Sequence, residues 1–106
     1  MQALTLENFA QEVEQSLLPV IIDCFGPACG PCKALLPHVE ALEQEYAGRI
    51  SVRTLDVSQN PELCIQLELF SVPTLLFFKN GECAARLMGS RATPAALKAA
   101  AGALLD

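Results

Sequence analysis

Apolar positions change their period along the chain, and each change marks an element. Leu6, Phe9, Val13 and Leu17 recur at helical spacing behind Thr5, a residue suited to a helix N-cap. Residues 18–25, LPVIIDCF, then run almost unbroken in apolar, largely β-branched residues, the pattern of a strand buried on both faces. Leu35, Val39, Leu42 and Tyr46 return to one helical stripe, with Pro37 inside it as the site of an expected kink. Residues 50–57, ISVRTLDV, predict a second strand of imperfect alternation. Asn60, Pro61 and Glu62 supply a cap, a first helical position and an acidic first turn for a helix carrying Leu63, Leu67 and Phe70. Residues 73–89 predict two strands joined at Asn80-Gly81, a dipeptide suited to a tight hairpin. Thr93 and Pro94 open a last helix with Leu97, Ala101 and Leu104 facing inward.

The expected order is helix, strand, helix, strand, helix, hairpin, helix. A helix joins the first two strands, so they must run parallel through a right-handed crossover. The hairpin adds antiparallel strands, which gives an α/β fold with a mixed central β-sheet and helices on both faces. No repeat or linker interrupts the chain, and 106 residues suit one domain, 1–106.

Composition narrows the possible partners. A net charge of −5 disfavours nucleic acid and anionic membranes. No apolar run approaches the ~20 residues of a spanning helix. Residues 1–16 lack the basic and uninterrupted apolar regions of a signal peptide, so a cytoplasmic location is expected, where thiols stay reduced.

Five cysteines is an odd number, which rules out complete intramolecular pairing. Cys29-Gly30-Pro31-Cys32 is half of a metal site, a chance pair, or a working dithiol. Structural zinc requires four ligands, usually two close pairs, but Cys24, Cys64, Cys83 and His38 are scattered singly, so no metal is expected. The pair lies between the C-terminal end of a buried parallel strand and the start of a helix, where α/β sheets build their sites. Cys32 continues the buried stripe of that helix. Cys29 precedes it by about one turn, where a side chain reaches solvent and the helix N-terminus stabilises a thiolate. Cys29 is therefore expected to attack and Cys32 to resolve the mixed disulfide. Asp23 is either a buried acid that manages the proton on Cys32 or an exposed strand-end residue that starts the turn. Cys24 should be a core residue on the sheet face opposite Asp23, Cys64 and Cys83 inert and half-buried, and His38 a surface residue.

Several spaced stretches resemble the thioredoxin family across essentially the whole chain: IIDCF (21–25), CGPCK (29–33), Pro37, VPTLLFFKNGE (72–82) and Gly89. The resemblance implies a thioredoxin fold and a thiol–disulfide oxidoreductase that reduces disulfides of other proteins. A separate reductase would then re-reduce it, with no cofactor bound to this chain. It implies that Cys29 and Cys32 are the redox pair and Asp23 the buried acid. It also implies that Pro73 is a cis-proline and that the Val72 backbone pairs with a bound substrate strand. Ala28, Gly30, Pro31 and Gly89 complete the implied substrate surface, although Gly81 and Gly89 read equally well as turn glycines. The chain departs from the family at Ala28 and Phe25, where tryptophans are customary, and at Thr54, where a lysine commonly faces the acid. It contains no tryptophan at all. The alternative function is a non-catalytic binding module with a vestigial or regulatory dithiol.

Overall fold

A computed structural model describes Met1–Asp106. Its sheet has five strands: β1 (Gln2–Ala3), β2 (Val20–Phe25), β3 (Ser51–Asp56), β4 (Thr74–Lys79) and β5 (Glu82–Met88). Their spatial order is β1-β3-β2-β4-β5. β3 runs parallel to both β1 and β2, β4 is antiparallel to β2, and β5 is antiparallel to β4. Three α-helices accompany the sheet: α1 (Gly30–Glu45), α2 (Pro61–Gln66) and α3 (Pro94–Leu104). The expected mixed α/β sheet is present, with α1 crossing between the parallel strands β2 and β3. No helix is long and apolar enough to cross a membrane.

The period-2 geometry of β2 divides the core into two layers. Ile21 joins Leu75 and Phe77 in packing against Leu35, Val39 and Leu42 of α1 and against Leu97, Ala101 and Leu104 of α3. Val20, Ile22 and Cys24 face the other way, toward Leu4, Phe9, Val13 and Leu63. Asp23 has the parity of Ile21 and therefore lies on the α1 side. That parity decides what Asp23 can reach.

Most local signals act as expected. Thr93 Oγ1 accepts from the Ala96 N–H at 3.1 Å, capping α3. The hairpin turns through Asn80 and Gly81, both at positive φ (54° and 78°), and its ladder has a register shift at Phe77/Phe78. Glycine is required at position 81, because a Cβ there would meet the Glu14 carbonyl oxygen at 2.8 Å.

Three expectations need correction. The first helix is shorter and wider than predicted. Thr5 and Asn8 close the turn before it reciprocally, with the Thr5 N–H donating to Asn8 Oδ1 at 2.8 Å and the Asn8 N–H to Thr5 Oγ1 at 3.2 Å. Residues Ala10–Glu14 then form a π-helical turn, closed by the Gln15 N–H on the Ala10 carbonyl. The wider turn takes Leu17 off the stripe. Phe9 and Val13 are buried, whereas Leu6 and Leu17 are exposed and Leu4 fills the core instead. Second, the two-residue β1 precedes this helix; it is too short to show alternation. Third, α2 ends at Gln66, so Phe70 lies beyond it and is 86% exposed. Asn60 gives α2 no side-chain cap. Its Nδ2 donates instead to the Asp56 carbonyl at 2.9 Å.

Candidate active site

Cys29 is the N-cap of α1 and Cys32 lies in its first turn, with Pro31 between them in the position that needs no N–H partner. The Cys32 N–H donates to Cys29 Sγ at 3.1 Å. A sulfur thus occupies the place where a capping oxygen would sit, against the unsatisfied N–H groups of a helix start. The two cysteines are joined as a disulfide, with Cα atoms 5.2 Å apart. Cys29 was expected to reach solvent, but here it is 8% exposed against 6% for Cys32. Joined sulfurs shield each other, so exposure in this state does not separate their roles. Ala28, Gly30 and Pro31 are exposed around the pair.

Of the two readings of Asp23, the structure has the buried one: the residue is 4% exposed. Asp23, Cys32, Phe25, Leu36 and Thr54 line one largely apolar cavity of about 300 Å³ beside the disulfide. Thr54 is the direct neighbour of Asp23 across β2 and β3. Removal from water pushes the Asp23 carboxyl from 3.8 up to about 6. A carboxyl shifted in this way can exchange a proton near neutral pH, and it shares a cavity with Cys32.

The Asp23 shift has a pH signature. Below about pH 4 the carboxyl is protonated in folded and unfolded chains alike, and the fold bears no penalty. Between about pH 4 and 6 the unfolded chain releases the proton while the folded chain keeps it, so stability falls as pH rises. Above pH 6 the loss is constant, on the order of 3 kcal/mol for a carboxyl moved from 3.8 to about 6. Asp23→Asn should therefore gain stability over the parent at pH 8 and lose that gain at pH 3.5. Denaturant titrations across this range check it; a difference independent of pH would mean that Asp23 ionises normally in the fold.

The segment before β4 meets the cysteine loop. The Val72–Pro73 bond is cis, as the family resemblance implied. A Cβ on Gly26 would lie 3.4 Å from Val72 Cγ2, so the two loops run side by side. The Gly89 N–H donates to the Pro73 carbonyl at 2.8 Å, and Gly89 holds φ at +56°, which ties the end of β5 to the same place. Gly81 lies apart, at the hairpin turn against Glu14. Neither backbone group of Val72 is hydrogen-bonded within the protein. An extended peptide could use both.

Sequence reasoning missed one feature of this surface. Val57, Cys64, Ile65, Leu69, Phe70 and Val72 line an open groove of about 470 Å³, with Ile65 77% and Phe70 86% exposed. The apolar pattern places Phe70 on the helix, and only the early end of α2 reveals its exposure. The other cysteines are kept from the chemistry in different ways. Cys24 is fully buried and its thiol is pushed far up by that burial. Cys64 is partly buried, and burial raises its thiol too. Cys83 corrects the expectation of half-burial: it is exposed on β5, its thiol directed at the Ala85 carbonyl at 3.4 Å. His38 is exposed, as expected.

The thioredoxin family model matches residues 1–101. The chain is 37% identical over 87 residues to "Thioredoxin 1" of Nostoc, covering 82% of this chain and 81% of that protein. It is 37% identical over 95 residues to the thioredoxin of Mycobacterium tuberculosis, covering 90% and 82%. It is also 37% identical over 90 residues to the chloroplastic M-type thioredoxin of spinach, covering 85% of this chain and half of that longer protein.

Proposed function

Because the chain belongs to the thioredoxin family and is a thiol–disulfide oxidoreductase, we propose that it reduces protein disulfides by an ordered exchange in which Cys29 attacks and Cys32 resolves. The carrying observation is Cys29 Sγ at the N-cap of α1, accepting the Cys32 N–H, where the helix start favours sulfur in its anionic form. The Cys29 thiolate attacks one sulfur of the target disulfide, and the other target sulfur leaves as a thiolate. Asp23, in the shared cavity, takes the proton from Cys32. The Cys32 thiolate then attacks Cys29 Sγ, forms the Cys29–Cys32 disulfide and releases the second target sulfur. Two electrons have moved to the target. A reductase of the kind that serves this family returns the pair to the dithiol.

Val72 is proposed to pair with the extended target segment, with Ala28, Gly30, Pro31, Pro73 and Gly89 shaping the surface around it. Its free backbone groups and its place beside Gly26 support this assignment. The cytoplasm is the proposed location, since an exposed free thiol such as Cys83 suits a reducing compartment. Dithiothreitol-driven reduction of insulin tests the activity. A rate clearly above dithiothreitol alone is expected; a rate no better would favour a binding module that uses the same surface.

Ala28 should limit contact with protein targets. An aromatic ring beside the nucleophile offers flat apolar area to an incoming peptide, and alanine removes it. Ala28→Trp is expected to raise kcat/KM for insulin about two- to tenfold, with a smaller effect on a small disulfide. Equal gains on both substrates would place the effect on the sulfur chemistry instead.

A further inference from the structure

We propose that Arg86 is a positioning residue that sets the shape of the segment Leu67–Pro73, and through it the affinity for protein disulfides. The inference rests on the reading of Val72 as the residue that pairs with the target. Arg86 lies on β5, partly buried, and takes part in neither ion pair of the protein. Its guanidinium instead forks onto two backbone carbonyls at the end of α2: Nη2 donates to Leu67 O at 2.6 Å and Nη1 to Glu68 O at 2.9 Å. A cation there complements the negative end of the helix and satisfies carbonyls that have no partner within it.

The conformation held in this way is unusual for its residue. Glu68 has φ +54°, the left-handed position that glycine or asparagine normally occupies after a helix. The turn closes with the Glu68 N–H on Ile65 O and the Leu69 N–H on Cys64 O. A glutamate has no intrinsic preference for this shape, so support from outside the segment matters. Further along, Thr74 Oγ1 donates to Ser71 O at 2.8 Å and the Gly89 N–H to Pro73 O at 2.8 Å. The carbonyls of residues 67, 68, 71 and 73 are thus all fixed from β4, β5 and the turn after it. Val72, between them, keeps both backbone groups free.

A segment already in its bound shape gives up less conformational freedom when a partner pairs with it. Loss of the fork would release the left-handed turn at Glu68 and let the path to Val72 vary. The disulfide, its cavity and Asp23 make no hydrogen bond with Arg86, so exchange with a disulfide too small to pair with Val72 should not change.

Single-turnover oxidation of the pre-reduced protein, quenched by alkylation, separates these effects. Arg86→Gln should lower the second-order rate constant with insulin about five- to tenfold and leave that with bis(2-hydroxyethyl) disulfide within about twofold. Arg86→Lys, which keeps the charge but not the fork, should fall between Gln and the parent. An unchanged insulin rate in Arg86→Gln, or an equal fall on both substrates, overturns the proposal. Amide hydrogen exchange at Val72 in the mixed disulfide of Cys32→Ser with insulin tests the underlying reading. Slowed exchange supports pairing at Val72, whereas unprotected Val72 sinks that reading and the route assigned to Arg86 with it. A protected Val72 beside an unchanged insulin rate in Arg86→Gln sinks the clamp alone.

Discussion

Cys29→Ser should lose disulfide reduction by at least about 10³-fold and trap no target, whereas Cys32→Ser should stop as a stable mixed disulfide with its targets. Serine at position 29 has no accessible anion at neutral pH and forms no bond to sulfur, so the first step is gone. Serine at position 32 leaves that step intact and removes the second. In the parent, Cys32, the residue proposed to resolve, has its Cα 5.2 Å from that of Cys29. The second attack is therefore intramolecular, with an effective concentration no external thiol approaches. Without it, the mixed disulfide waits for a thiol from solution. Non-reducing electrophoresis and intact mass, after mixing each reduced variant with insulin, read the outcome directly. Equal trapping by both variants would make the two sulfurs interchangeable and end the ordered scheme.

The largest loss of stability is expected from Phe77→Ala. Phe77 is fully buried on β4, paired across to Ile21 of β2 and Ala85 of β5. It belongs to the layer in which Leu35 and Val39 of α1 meet the sheet. Truncating a buried phenylalanine costs about 3–5 kcal/mol, because transfer energy and packing are lost together. For a domain of this size that is a large share of a total of roughly 5–15 kcal/mol, and the melting temperature should fall by roughly 15–30 °C. Since the same layer seats the helix that carries Cys32, reductase activity should fail at a lower temperature too. Phe70→Ala supplies the contrast. That ring is 86% exposed, so its loss should change stability by no more than about 0.5 kcal/mol. A cost below about 1 kcal/mol for Phe77→Ala would mean that the layer collapses around the void.

The two aromatic residues also show what the sequence made legible. Wherever burial followed a regular period, the reading held: β2, α1, the hairpin and α3 were recoverable because side-chain direction is fixed by backbone geometry. The cysteine loop was legible for the same reason, since Cys32 continued a stripe and Cys29 preceded it. Failures came where a local backbone feature changed the count of residues per turn or ended the helix. The Gln15–Ala10 bond displaced Leu17, and the left-handed Glu68 stopped α2 before Phe70. Neither event leaves a trace in the apolar pattern. Asp23 needed the third dimension: its parity placed it toward α1, but only the packing of that helix decided between burial and exposure. The Arg86 fork was invisible, because it joins residues 18 and 19 positions apart through carbonyls that every residue carries.

The borders of the sheet bear on how a protein proposed to pair with an extended target segment stays apart from its own copies. An outer strand with open N–H and C=O groups invites any extended chain, including a second molecule of the same protein. Here β1 offers two residues, too few for a lasting ladder. β5, the opposite border, carries Glu82 and Arg86 and is thrown out of register beside Phe78. Charge, brevity and an irregular ladder are the usual defences against edge-to-edge aggregation. With both borders blunted, the unpaired backbone at Val72, proposed as the place where a target strand docks, precedes the interior strand β4 and lies beside the loop that carries Cys29. On the proposed reading, target capture and edge-to-edge self-association would use different parts of the molecule.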